Sequence, residues 1–302
     1  MIELRNATCA WVAGSTLVVC AMAGPAFGDL VVSDSFLNAA PSPDNDAAGI
    51  YNTGNIVGQS PDTLGFNPTA TWTNPGTNSF FAVNDGGALD YAGYGGTGGG
   101  LNATNTQGGF RQTGRVMSGD VGDSDTLWAS VLIRKQTIDE YLTSAFVGRT
   151  ASTGGGPLEF GIIGDDFGVN IRTSAGNDSS RTAGSLYTAG DTVLMVMQVQ
   201  LNDGEGDDDN WYLYVNPDLD STPDTSEAVL SGVGQLWDSD ASLGVAAFRF
   251  VTTGGPVNTT ASNVTWDEFR IATEFGTLIP EPGSMALLSL GALSLIARTR
   301  RD

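Results

Sequence analysis

Apolar and polar residues alternate with a period of two along most of this chain, the pattern of half-buried β-strands. In Leu127 to Arg134, Leu127, Ala129, Val131 and Ile133 fall on one face. In Asp191 to Leu201, Val193, Met195, Met197, Val199 and Leu201 share a face, while the opposite face changes from Leu194 and Val196 to Gln198 and Gln200. That strand is expected to be buried on both sides at its start and open on one side later. Trp211, Leu213 and Val215 oppose Tyr212 and Tyr214, and similar patterning predicts strands over 30–36, 79–83, 142–149, 158–163, 167–172, 243–251 and 264–271. Turn-formers such as Gly154-Gly155-Gly156, Gly164-Asp165-Asp166 and Gly176-Asn177-Asp178 punctuate them. No helical period of useful length lies between. About ten to fourteen strands in one run predict an all-β fold, an antiparallel jelly-roll β-sandwich over residues 29–275. The glycine-rich region 85–109 reads as long loops within it.

Both ends break the pattern. Residues 1–28 carry Arg5, an apolar run from Ala7 to Ala23, and the small residues Ala26 and Gly28. This is the layout of an N-terminal signal helix, with cleavage by signal peptidase expected before Asp29. A retained membrane anchor is the alternative, for which the apolar run is short. Residues 279–302 read Pro280-Glu281-Pro282, an apolar stretch from Met285 to Ala297, then Arg298, Arg300 and Arg301. A short C-terminal transmembrane helix is expected there, with the arginines held on the cytoplasmic side. The alternative is a buried helix with a basic tip.

Composition narrows the chemistry. The 41 glycines, with 16% charged residues, suit a loop-rich β protein. A net charge of −21 argues against nucleic acid as a partner. The chain has no histidine, which excludes His-based triads and His-ligated zinc. Both cysteines, Cys9 and Cys20, fall in the signal segment.

Two acidic loops flank the strand at Trp211. Asp203, Asp207 and Asp209 lie in one, and Asp218, Asp220 and Asp224 alternate in the other. Clustered carboxylates of this kind are candidates for calcium, which takes six to eight oxygen ligands; solvated loops are the plainer reading. The second loop lacks the central glycine and the twelfth-position glutamate of an EF-hand. Glycoside hydrolysis needs two carboxyl groups across a bond. Glu159 and Asp165 have the wrong spacing, while Asp267-Glu268 and Asp139-Glu140 are adjacent and so are expected on opposite strand faces. No catalytic residue is assigned, and the protein is expected not to be an enzyme. Trp128, Tyr212, Tyr214 and Trp237 could form a stacking platform for sugars, with core packing as the competing role. Arg111, Arg115, Arg134, Arg149, Arg172 and Arg181 read as surface partners for the excess acid.

Two resemblances add to this reading. Pro280-Glu281-Pro282, the apolar helix and the terminal arginines resemble the PEP-CTERM sorting tail of Gram-negative bacteria. That resemblance implies an exosortase-type membrane protease as a partner, transient anchoring in the inner membrane, and delivery to the cell surface or extracellular matrix. Asp34-Ser35-Phe36, Gly58-Gln59, Gly65-Phe66 and Trp72, the run Trp211 to Pro217, and Trp266-Asp267-Glu268-Phe269-Arg270-Ile271 together resemble a concanavalin A-like lectin/glucanase (laminin-G-like) domain. It implies that the first and last strands pair. The expected function is that of an exported, non-catalytic surface or exopolysaccharide-matrix protein with polysaccharide as its ligand. The alternatives are a structural matrix protein without a specific ligand and a divergent glycoside hydrolase.

Overall fold

The computed structural model describes residues 29–39, 50–73, 81–84, 87–92, 94–95, 99–105, 111–118, 125–138, 141–148, 158–173, 176–202, 208–234, 245–252 and 262–279. The signal segment with Ala26 and Gly28, and the tail with Pro280, Glu281, Pro282, Arg298, Arg300 and Arg301, lie outside these residues, as do Asp203, Asp207 and Trp237.

The described chain is almost entirely strand. The order begins β1 (Leu30–Asp34), β2 (Asn38–Ala39), β3 (Tyr51–Asn52), β4 (Gly54–Asn55), β5 (Phe81–Asn84), β6 (Asp90–Tyr91), β7 (Tyr94–Gly95), β8 (Gly100–Asn105) and β9 (Arg111–Val116). It continues β10 (Thr126–Lys135), β11 (Tyr141–Gly148), β12 (Leu158–Ile163), β13 (Asp166–Thr173), β14 (Gly176–Arg181), β15 (Thr192–Gln200) and β16 (Asp209–Val215). The last strands are β17 (Leu230–Gly234), β18 (Val245–Thr252) and β19 (Ser262–Ala272), followed by a single helical turn, α1 (Phe275–Leu278).

The strands form two principal sheets. The large one has nine strands in the order β17-β16-β15-β10-β19-β8-β5-β4, with β1 also paired to β19. The small one has six, in the order β14-β13-β12-β11-β18-β9. Both are antiparallel; the short β2–β3 ladder is parallel. The sheets face each other across one apolar core, as two half-apolar surfaces must when each buries its inward side. Phe248 of the small sheet reaches Trp266 and Phe269 of the large sheet, with ring centroids 5.7 and 5.6 Å apart. Phe160, Val169, Met195 and Leu213 fill the same layer. Burying these side chains is worth roughly 25 cal/mol for each Å² of apolar surface removed from water.

Several sequence expectations meet the structure with changes. Strand 158–163 is found within those bounds, and the long strand over 192–200 is buried on both sides for most of its length. The region 85–109 is not all loop: β8 runs within the large sheet between β19 and β5, with Leu101 and Ala103 buried. Gly176-Asn177-Asp178 is not a turn but the start of edge strand β14. Arg115 is not a surface partner. It is buried and donates from Nε to the Ala70 carbonyl at 2.8 Å and from Nη2 to that of Asn67 at 3.2 Å, with its guanidinium 5.1 Å over the Phe66 ring. This ties the 59–73 segment along the edge of β9, where Thr73 and Gly114 exchange backbone hydrogen bonds at 2.9 and 3.0 Å.

The outer face of the large sheet carries a second, smaller apolar cluster. Leu132, Leu194 and Val196 of the sheet pack there with Leu89, Tyr94, Phe275 and Leu278 from the segments that cover it.

Candidate functional site

Three of the four aromatics expected to form a sugar platform are in the described residues, and they belong to that second cluster. Trp128 stacks on Tyr214 with centroids 6.1 Å apart, and Phe275 of α1 meets its ring edge-on at 5.2 Å. Trp128 is 3% exposed and Tyr214 1%, the latter donating its hydroxyl to Gln198 Oε1 at 2.9 Å. Tyr212 is half-buried against the same cluster. Trp128 and Tyr214 are thus packing residues in this conformation, covered by α1, because the chain folds back over them after β19.

The acidic loops sit at opposite ends of β16, roughly 20 Å apart for a strand of this length. Asp209 is buried, and its carboxylate accepts the Asn202 N–H at 3.0 Å, closing the hairpin. Beside it, Asp125, Thr126, Gln200, Leu201 and Asn202 line a cavity of about 400 Å³. In the other loop, Asp218 accepts the amide of Asp220 at 3.0 Å. Asp224 caps a short 3-10 turn over Thr225–Glu227, accepting the Ser226 amide at 2.8 Å while Glu227 reaches back to its own N–H. Asp218, Asp220 and Asp224 are exposed. Among the described residues, no three acidic side chains converge as a metal-holding group.

Asp267 and Glu268 do not alternate across β19. The register against β10 shifts between Ser130 and Leu132, leaving one residue more on β19, and Glu268 takes φ +47°. This bulge returns both acids to the outer face of the large sheet. Asp267 accepts the Leu89 amide at 2.8 Å, and Glu268 pairs with Arg270 at 2.8 Å. Burial pushes the Asp267 carboxyl up to about 8, aided by the nearby Glu268 charge and opposed by the Leu89 amide. Across the sheet, inside the core, Asp34 is also pushed up by burial, to about 6. It accepts the Tyr51 hydroxyl, which in turn accepts the Trp72 Nε1–H at 2.8 Å.

A polar chain crosses the outer face of the small sheet. Because Leu158, Phe160 and Ile162 turn inward, Glu159 turns outward, and the same parity in β13 sends Asn170 out beside it. Glu159 is 1% exposed, and its two carboxylate oxygens accept the Ser144 hydroxyl and, at 3.0 Å, the Asn170 amide. Ser179 Oγ donates to Asn170 Oδ1 at 3.4 Å. One hydroxyl, one carboxylate, one amide and one further hydroxyl are thereby linked across β11, β12, β13 and β14. The chain deepens from the exposed Ser179 at the sheet edge to the buried Ser144 and Glu159. Ser144 and Glu159 satisfy each other beneath the surface, so the half-buried Asn170 and the exposed Ser179 are the members that present polar atoms to the hydroxyls of a sugar ring. This constellation was not assigned from sequence; the signal was the lone Glu159 between inward Leu158 and Phe160.

Residues 278–301 match the PEP-CTERM protein-sorting motif. The chain therefore carries a signal for exosortase processing and is a protein exported toward the cell surface or envelope. No curated protein matches it in sequence. Among solved structures it is similar to an endo-β-1,4-glucuronan lyase from the fungus Trichoderma reesei, with 13% identity over 70% of this chain and 98% of that one at a TM-score of 0.41. It is similar also to the T. cruzi calreticulin globular domain, with 11% identity over 76% and 95% and a TM-score of 0.47. The alginate lyase Aly36B shares 15% identity over 74% and 93% with a TM-score of 0.38.

Proposed function

We propose that this is a non-catalytic component of the cell surface or exopolysaccharide matrix, whose concanavalin A-like jelly roll binds polysaccharide at the β13–β14 edge of the small sheet. The observation that supports it is the Ser179–Asn170 pair at that edge, fixed from beneath by the buried Glu159 and Ser144. The sorting signal directs the protein to a compartment where its ligand is a secreted glycan, and the apolar stretch of the tail holds it in the membrane until processing.

The carboxylate layout favours binding over hydrolysis. Retaining and inverting glycosidases set their two carboxyl groups roughly 5 to 10 Å apart. On this face Glu159 and Asp166 stand four residues apart in register, since Asp166 pairs with Ile163. That is roughly 13 Å along the strands. Asp267 and Glu268 are close together, but Asp267 holds a backbone amide and Glu268 is paired with an arginine.

A glycan array probed with the exported protein, with and without EDTA, tests the reading. Binding is expected, and its loss with EDTA would assign calcium a supporting role. No binding in either condition would make the protein a structural one without a specific ligand. Turnover of any bound glycan, abolished by Glu159→Gln, would make it a hydrolase.

A further inference from the structure

α1 covers part of the apolar cluster on the outer face of the large sheet, and side-chain burial is what holds it there. Phe275 and Leu278 are buried, and the half-buried Ile279 packs against the same cluster. The backbone adds little. α1 is a single turn, the Glu274 side chain does not cap it, and the Thr277 and Leu278 amides both reach the Glu274 carbonyl at 3.3 Å. Gly276 lowers its helix propensity further. The chain just before it is held more firmly. β19 pairs with β1, β10 and β8, and Thr273 exchanges two hydrogen bonds with Asp29. Local opening from this side therefore stops at Thr273, with β19 intact.

The sorting motif begins at Leu278, so its first residue is itself a buried contact of the sandwich. Glu281 follows Ile279 by two residues, a reach of roughly 7 Å at full extension. Counted from Thr273 it is eight residues away, a reach of roughly 28 Å. A protease needs accessible backbone around the bond it cuts, and a segment held by burial is cut in its opened form. With α1 docked, the backbone preceding Pro280 is committed to the sandwich. With α1 released, residues 274–279 become available to a protease.

We propose that α1 is a releasable clasp on the sorting motif: docked against Trp128 it withholds the motif from the processing protease, and its release presents it. This rests on the reading of the tail as an exosortase substrate. The clasp couples processing to folding, because its seat exists only once β10 and β16 have brought Trp128 and Tyr214 together. In the completed fold, the rate of processing follows the fraction of molecules in which α1 is open.

Pulse-chase labelling of the full chain, in a Gram-negative host carrying an exosortase, reads the conversion of full-length to shortened protein. Phe275→Ala removes the main anchor and is expected to convert roughly tenfold faster or more. Gly276→Ala strengthens the turn, since a Cβ there meets nothing within 4 Å, and is expected to convert about threefold slower. Gly161→Ala weakens the other sheet and is expected to leave the rate unchanged. A Gly-Ser spacer inserted after Ile279 is expected to speed conversion and to abolish the slowing by Gly276→Ala. Equal rates in wild type, Phe275→Ala and Gly276→Ala overturn the clasp and leave the tail an exosortase substrate. Acceleration by Gly161→Ala as large as by Phe275→Ala overturns it in favour of global unfolding. Slowing by Gly276→Ala that persists with the spacer overturns it as well. No shortening of any chain, spacer included, overturns the exosortase reading and the clasp together.

Discussion

Asp29 and Thr273 stand 244 residues apart in the chain and exchange two hydrogen bonds. The Asp29 amide donates to Thr273 Oγ1 at 2.9 Å, and the Thr273 amide donates to the Asp29 carbonyl at 3.1 Å. They extend the β1–β19 ladder past its last registered pair, Leu30 with Ala272. The first residue of the described sandwich and the start of α1 are thereby held at one point. The sorting motif begins at Leu278, a residue of α1 that is itself fully buried. The first residue of the motif thus belongs to a docked turn.

Phe275 is the anchor of that turn, since it packs edge-on against Trp128 and is 3% exposed. Phe275→Ala is expected to cost about 3 kcal/mol. It should also uncover Trp128, so acrylamide should quench the indole fluorescence more strongly. Thr273→Ala removes one hydrogen bond and should cost about 1 kcal/mol. Urea denaturation gives both values; unchanged midpoints and quenching in Phe275→Ala would show that α1 does not hold the cluster.

Gly161 of β12 lies against β11, its missing Cβ position 2.0 Å from the Thr143 oxygen and 2.6 Å from the Ser144 Cα. Both obstacles are backbone, so no rotamer change relieves them. Gly161→Ala is expected to destabilise the fold by about 3 kcal/mol, the upper part of the usual overpacking range. It should also move Ser144 relative to Glu159, weakening glycan binding beyond what the loss of stability explains. A variant with wild-type stability would mean that the two strands separate at little cost.

What could be read from the sequence, and what could not, follows from how each residue signals. Val193, Met195, Met197 and Val199 announce their strand because each odd position is apolar and each is buried. Strand β8, Gly-Leu-Asn-Ala-Thr-Asn, offers only Leu101 and Ala103 after a glycine-rich run, too little apolar contrast to stand out. Strand β14, Gly-Asn-Asp-Ser-Ser-Arg, has none, because an edge strand with exposed side chains needs no apolar face. The bulge at Glu268 is silent for another reason: strict alternation is the assumption behind the period-two reading, and one left-handed residue breaks it. Arg115 misled because charge usually marks the surface, whereas here three hydrogen-bonding partners and an aromatic face replace water. The polar chain was only half visible. Glu159 shows in its own strand, but its partners Ser144 and Asn170 come from neighbouring strands, and register alone brings them together.

The buried acids give the fold a defined response to pH. Asp267 has an ordinary value of 3.8 and is raised to about 8 in the fold, chiefly by burial. The folded state therefore retains a proton that the unfolded chain has released. That contribution is fully present below pH 3.8 and is lost as pH rises through about 8. Asp34 acts in the same direction over a narrower span, from 3.8 to about 6. Asp224 is lowered by the Ser226 amide and hydroxyl and so titrates below this window. Stability should accordingly fall from pH 4 to pH 8, most visibly as a declining urea midpoint at constant slope. Ionisation of the many surface carboxylates pushes the same way, so the decisive comparison is Asp267→Asn. This variant gives up one acceptor for a backbone amide, which lowers stability at pH 4 by about 1 kcal/mol, but it carries no proton to lose. Its midpoint should decline less steeply than that of the wild type, and the two curves should converge or cross toward pH 8. Parallel curves for the two proteins would show that Asp267 does not hold its proton in the folded state.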